Sequence, residues 1–264
     1  MKKVTPHTVN RTTSKKKQHL TRAAAILFWL AVWAAAAKLI DRELFLPGPL
    51  LVFSTLARLI SSEGYFAAIG NSMFNIISGY LLAIIAGVLL AVLSCRVRPI
   101  KAFISLPLRV IRTIPVASFI ILALLWFSSR RLALVISFLM VVPIIYENVL
   151  EGLESTDTEL LEMAYLVKMP LLKKIKLIYL PHLSPQLCAA LSTGAGLAWK
   201  SGVAAEVIGI SHNTIGNRLY QSKIYLDTPQ LFAWTLTIIA ISLAFECGVR
   251  ALLMLIQHRG IKKG

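Results

Sequence analysis

FNIISGYLLAIIAGVLLAVLSC, running from Phe74 to Cys95, carries no charged residue and is closed by Arg96, Arg98 and Lys101. A bilayer's hydrocarbon core is about 30 Å thick and a helix rises about 1.5 Å per residue, so this run reads as a membrane-crossing helix whose basic end stays in the cytoplasm. The rest of the chain agrees. Of 264 residues, 57% are hydrophobic and 15% charged, with a mean hydropathy of +0.72, too apolar for an ordinary soluble domain. A formal net charge of +16 would suggest nucleic acid if the cations formed one soluble face. They sit instead between apolar runs and read as topology signals, so no nucleic-acid partner is expected.

Five further spans lie outward from that helix. Ala23 to Ile40 follows a basic tail, residues 1–22, with Lys2, Lys3, Arg11, Lys15, Lys16, Lys17 and Arg22. A secretory signal peptide has the same layout, and Ala34 to Ala37 could mimic its cleavage site, but the later spans favour an uncleaved anchor. Pro47, Gly48 and Pro49 then start a short helix along the outer surface, with Leu51, Leu56, Leu59 and Ile60 as its apolar stripe. The third span is read as Phe103 to Phe127. Ser128 to Arg131 make an outer turn, and Leu132 to Val149 return to the cytoplasm. An inner stretch, about 151–184, carries Lys168, Lys173, Lys174 and Lys176, before a fifth span near Leu187 to Ile210 and a sixth from Phe232 to Ile256.

The expected fold is therefore all-α and polytopic: about six transmembrane helices in one domain, residues 23–258. It ends in a basic tail, 259–264, with Arg259, Lys262 and Lys263, and both termini are cytoplasmic. This assignment places about 17 of the 28 Lys and Arg inside and about seven outside, as the positive-inside bias requires. Cys95, Cys188 and Cys247 lie far apart in or beside apolar segments and are expected to be buried free thiols. The histidines, including His182 and His212, have no metal-ligand spacing, so no metal and no cofactor is expected.

The inner stretch from Glu159 to Pro181, ELLEMAYLVKMPLLKKIKLIYLP, is the most informative. Leu160, Leu161, Ala164, Leu166 and Val167, then Leu171, Leu172, Ile175 and Ile178, make two short amphipathic helices broken near Met169 and Pro170. Ser155 or Thr156 can cap the first, with Asp157 and Glu159 in its first turn favoured by the helix dipole. Here the chain resembles binding-protein-dependent ABC importer permeases, whose loop carries E-A-A, three residues, G, nine residues, then I-x-L-P. Glu162, Met163 and Ala164, then Lys168, then Ile178, Leu180 and Pro181 stand at the matching spacings. Met163 replaces an alanine and Lys168 the glycine. The resemblance implies that residues around Asp157 to Lys168, Leu161 among them, form a coupling helix seated in an ATPase. A loop lying on anionic lipid headgroups is the plainer alternative.

Leu46-Pro47-Gly48-Pro49, Arg112-Thr113-Ile114-Pro115, Trp126-Phe127 and Ala204-Ala205-Glu206-Val207-Ile208-Gly209 look like the nitrate, sulfonate and taurine branch of these permeases. That branch also includes carriers of pyrimidine precursors. Arg109 and Arg112 share a helix face, and Lys200 lies well inside the fifth span, where an unpaired cation costs several kcal/mol. Arg112 and Lys200, beside Pro115, are candidates to line a path for a small anion. Snorkelling, or bonding to carbonyls freed at Pro115, is the alternative. Glu206 is read as an outer gate or a counter-charge, and Glu246 and Arg250 as an i,i+4 ion pair. Ser192, Gly194, Gly196, Ser201 and Gly202 would let neighbouring helices approach closely.

No Gly-rich phosphate loop with Lys-Ser or Lys-Thr occurs, so the chain is not expected to be an enzyme and has no catalytic residues. The resemblance implies a pair of ATPase subunits inside, an extracytoplasmic substrate-binding protein, and a second copy of the chain in a bacterial cytoplasmic membrane. The rivals are the scaffold of a receptor-less vitamin transporter, which lacks the I-x-L-P spacing, and an intramembrane enzyme. The latter would need clustered His, Asp, Glu or Ser within spans.

Overall fold

The apolar run from Phe74 to Cys95 sits inside a longer helix that starts at Tyr65, after Gly64 (φ 86°) has turned the chain in the left-handed region open to glycine. The structure, a computed structural model, describes residues 11–261, with side chains described for Thr21 and residues 23–254. Lys2, Lys3, Lys262 and Lys263 lie outside the described residues. Arg11, Lys15, Lys16, Lys17, Arg22 and Arg259 are described by their helical backbone alone. The helices are α1 (Arg11–Ile40), α2 (Pro49–Ile60), α3 (Tyr65–Arg96), α4 (Arg98–Thr113), α5 (Val116–Ala123) and α6 (Ser129–Glu154). α7 (Thr158–Leu166), α8 (Leu171–Lys174), α9 (Leu180–Ile208), α10 (Ile215–Ile224) and α11 (Thr228–Ile261) follow, with a π-helical turn, Ile175–Tyr179, between α8 and α9.

α3, α6 and α9 form the centre. Lipid tails are as apolar as leucine, so burial drives helices together weakly in a bilayer, and close packing and interhelical hydrogen bonds must do it. Gly79 lets α3 lie against the α6 backbone, since a Cβ there would stand 2.3 Å from the Leu134 carbonyl oxygen. Gly202 does the same for α9, where a Cβ would meet Ile76 and the Ser137 hydroxyl at 2.6 Å. Ser137 Oγ donates to the Ala198 carbonyl (2.9 Å), and Tyr80 donates to that of Leu191 (2.8 Å). α1 is peripheral. It is held through Trp33, whose ring nitrogen donates to the Pro47 carbonyl (3.1 Å) and whose ring stacks on Phe232 at 5.9 Å.

Four helices, α1, α3, α6 and α11, are long and apolar enough to cross a membrane. The third span, read as Phe103 to Phe127, is two helices, α4 and α5, bent by 107° at Pro115. A residue before proline is pushed out of the helical region; Ile114 is extended (φ −76°, ψ 132°), and Pro115 caps α5. α9 is long enough but rich in small residues such as Ala190, Gly194, Ala195, Ala198 and Gly202, which are buried inside the bundle.

Other boundaries also move. Only short breaks interrupt the expected inner loop: α6 reaches Glu154 and α9 starts at Leu180. Arg130 and Arg131 belong to the first turn of α6 rather than to a turn before it. On α2 the buried face is Val52 and Thr55, and Ile60 is exposed. The cysteines are not buried as expected: Cys95 and Cys247 are exposed, and Cys188 is intermediate.

Ends alternate along the chain. Lys101 pairs with Glu154 (2.6 Å), placing the start of α4 beside the end of α6. Ser211 Oγ donates to the Ser129 carbonyl (2.6 Å), placing the start of α6 beside the end of α9 at the opposite pole. The broken pair α4 and α5 therefore crosses from one pole to the other.

Candidate coupling elbow and translocation face

α7 begins at Asp157, whose carboxylate accepts the Glu159 N–H at 2.8 Å, so Asp157 is the cap. Ser155 and Thr156, the expected caps, instead bond back to the end of α6: Thr156 Oγ1 donates to the Gly152 carbonyl at 3.1 Å. The helix ends in a doubly bonded left-handed turn. Lys168 N–H donates to the Tyr165 carbonyl (3.0 Å) and Met169 N–H to that of Ala164 (2.9 Å), with Lys168 at φ 48°. Lys168 thus holds a left-handed backbone shape that a glycine would adopt without strain. Pro170 then stops the helix from continuing.

The stems of this elbow are joined. Ser155 Oγ and His182 Nε2 are 3.2 Å apart, and Gly152 is so close to Leu183 that a Cβ would come within 2.5 Å of it. His182 ties the end of α6 to the start of α9. Pro181 has no N–H to give, and the helix tolerates it where the pattern has already shifted: Leu180 N–H bonds to the Ile175 carbonyl, one residue further back than in an α-helix. Ala164 is buried, while Met163, Tyr165, Leu166 and Leu180 are exposed. Thr158, Leu161, Glu162, Tyr165 and Leu166 line a shallow groove on α7. Of the residues singled out for coupling, Ile178, Leu180 and Pro181 lie on the helical path into α9 and the rest on α7 or its caps.

A second set is Arg112 and Lys200. Arg112, at the end of α4, donates to the Glu147 carboxylate on α6, and both side chains are about half exposed (51% and 41%). Lys200 is exposed; Leu197 and Ala204, one turn either side of it, pack into the cluster around α5, which starts just after Arg112 and Pro115. Arg109 is also exposed, and the Glu246–Arg250 pair forms at 3.7 Å.

Glu206 is elsewhere in character. It is fully buried, and its Oε2 accepts from Ser72 Oγ (2.7 Å) and the Gly216 N–H (3.1 Å). Ser72 Oγ in turn accepts the Ile215 N–H (3.0 Å). The carboxylate therefore sits on the N-terminus of α10, whose dipole favours an anion, and joins three helices. Glu206 is thus sealed where Arg112 and Lys200 are exposed. Spacing gave no hint of Glu147 or Ser72, since their partners are 35 and 134 residues away. Among the described residues, no group of three His, Cys, Asp or Glu could hold a metal ion.

Residues 79–262 match the model of the family described as binding-protein-dependent transport system inner membrane component. A Bacillus subtilis protein described as an aliphatic sulfonates transport permease, SsuC, is 24% identical over 77% of this chain and 74% of its own length. The Escherichia coli taurine transport system permease protein TauC is 22% identical, over 88% of this chain and 85% of its own. Among solved structures, a bacterial ABC transporter that imports alginate aligns over 93% of this chain and 99% of that chain, with TM-score 0.61 and 15% identity, a likeness of fold.

Proposed function

Since the chain belongs to the binding-protein-dependent transport system inner membrane component family and is an ABC importer permease of the cytoplasmic membrane, we propose that it forms the path for a small organic or inorganic anion of the sulfonate, taurine or nitrate kind. In this reading two copies of the chain pack together through the side that carries Arg112 and Lys200. A pair of ATPase subunits grips α7 from the cytoplasm, where both termini also lie, and a substrate-binding protein docks outside.

The elbow carries the reading. α7 is capped at Asp157, locked at Lys168 and Met169, and stemmed on α6 and α9, which themselves reach the bundle centre. A push on such a stiff, short helix moves two spans rather than flexing a loop. The cations on the open side supply the attraction for an anion, and Glu147 neutralises Arg112 when no anion is present, which lowers the cost of a bare cation at membrane depth.

The test is to purify the chain with its co-encoded ATPase and receptor and measure ATP hydrolysis in proteoliposomes while varying the solute on the receptor. Stimulation by sulfonates, taurine or nitrate is expected. A complex that assembles yet responds to none of these and to another solute class would overturn the anion assignment. A cysteine at Leu161 that labels from outside intact cells would overturn the coupling role.

A further inference from the structure

The elbow has two chemically different arms. α7 and its caps carry Asp157, Glu159 and Glu162, whereas no Asp or Glu occurs between Met163 and Ala205. The second arm, Leu171–Tyr179, holds Lys173, Lys174 and Lys176, none of which has a carboxylate within ion-pair distance among the described residues. Interleaved with them, Leu171, Leu172, Ile175 and Leu177 are exposed, Leu172 at 81%.

Leaving such leucines in water is costly, and lysines among them are the mark of a segment in the headgroup layer. There the apolar side chains reach the acyl boundary while the long lysine stems carry the charge outward. The arm's position supports this. Through the π-helical turn it runs without a break into α9, so it enters the bundle at the cytoplasmic boundary, at the same pole as the Lys101–Glu154 pair. A basic arm there meets a leaflet surface that is negative. The acidic arm, α7, carries the groove and points to a different partner.

We propose that the arm Leu171–Tyr179 binds anionic phospholipid headgroups of the cytoplasmic leaflet through Lys173, Lys174 and Lys176, fixing the height at which α7 is presented. The proposal rests on the cytoplasmic placement of the elbow.

The full chain with its ATPase is placed in nanodiscs of phosphatidylcholine alone, or of equal parts phosphatidylcholine and phosphatidylglycerol. Acetylation of the three lysines by a water-soluble reagent is followed by mass spectrometry. The anionic lipid is expected to slow acetylation about fivefold, with or without the ATPase, and high salt to remove the effect. The variant K173Q/K174Q/K176Q, changed at side chains of which Lys173 and Lys176 are exposed and Lys174 is half-buried, is expected to retain less phosphatidylglycerol on purification while still assembling with the ATPase. Equal rates in both nanodiscs, or protection that appears only when the ATPase is added, would overturn the proposal, the latter assigning the surface to the ATPase. A cysteine at Lys173 that labels from outside intact cells would instead sink the topology and the coupling role with it.

Discussion

Glu206 and Glu147 are both carboxylates on central helices, yet they are held in opposite ways. Glu206 is sealed, with one oxygen taking two donors from separate helices. Glu147 is half exposed and has a single cationic partner, Arg112, across from α4. A sealed acid that takes donors from two other helices ties those helices together. An open acid on one cation can give that cation up to a passing anion. Under the proposed function, burial and the number of partners, not residue type, assign Glu206 to the scaffold and Glu147 to the path.

The largest effect is expected at the sealed site. Glu206→Ala strands Ser72 Oγ and the Gly216 N–H in the interior and should destabilise the chain by about 2–4 kcal/mol. Thermal unfolding in detergent, followed by tryptophan fluorescence, measures it. Gly216→Ala probes the same joint by sterics, since its Cβ would lie 2.4 Å from that of Glu206. About 1–3 kcal/mol is expected there. If either variant unfolds like wild type but loses uptake, Glu206 belongs to the path after all and the contrast fails.

At the open pair the order reverses, with transport affected and folding spared. Arg112→Gln should cut anion uptake by about tenfold or more while assembly with the ATPase stays normal, because the side chain is half in contact with solvent. Glu147→Gln leaves Arg112 free to hold the anion longer, so uptake should fall less, by about three- to fivefold, with receptor-stimulated ATP hydrolysis retained. Proteoliposome uptake and hydrolysis, measured on the same preparation, check both. Unchanged uptake in Arg112→Gln would reduce the pair to a strut between α4 and α6.

Legibility followed the range of the interaction. Four of the spans, α1, α3, α6 and α11, were readable because twenty or so apolar residues have few other uses, and the start of α2 because Pro49 tolerates a first turn. The short range already brought ambiguity: Ser155, Thr156 and Asp157 can all cap, and which one does so depends on Gly152 claiming Thr156. The break at Pro115 was visible as a proline but its 107° angle was not, since that depends on how α5 packs into the cluster with Leu132 and Ala205. The ties between Ser72 and Glu206, Arg112 and Glu147, and Ser155 and His182 were out of reach, because one sequence gives no register between distant helices.

The smallest expected effect lies at Lys168, where the chain departs from its relatives' pattern. A left-handed residue with a Cβ costs about 1–2 kcal/mol, and glycine avoids that cost while giving back part of it through a freer unfolded chain. Lys168→Gly should therefore tighten the turn by about 1 kcal/mol or less. The sensitive readout is hydrogen exchange at the Met169 amide, whose bond to the Ala164 carbonyl closes the turn; it should slow by a few-fold. Lys168→Ala keeps the Cβ and should leave that amide unchanged. If Lys168 matters only for shape, Lys168→Gly transports as well as wild type or better, and Lys168→Ala matches wild type. If both variants lose uptake equally while the turn tightens in one alone, the lysine side chain itself touches the ATPase, and the elbow transmits charge recognition as well as force.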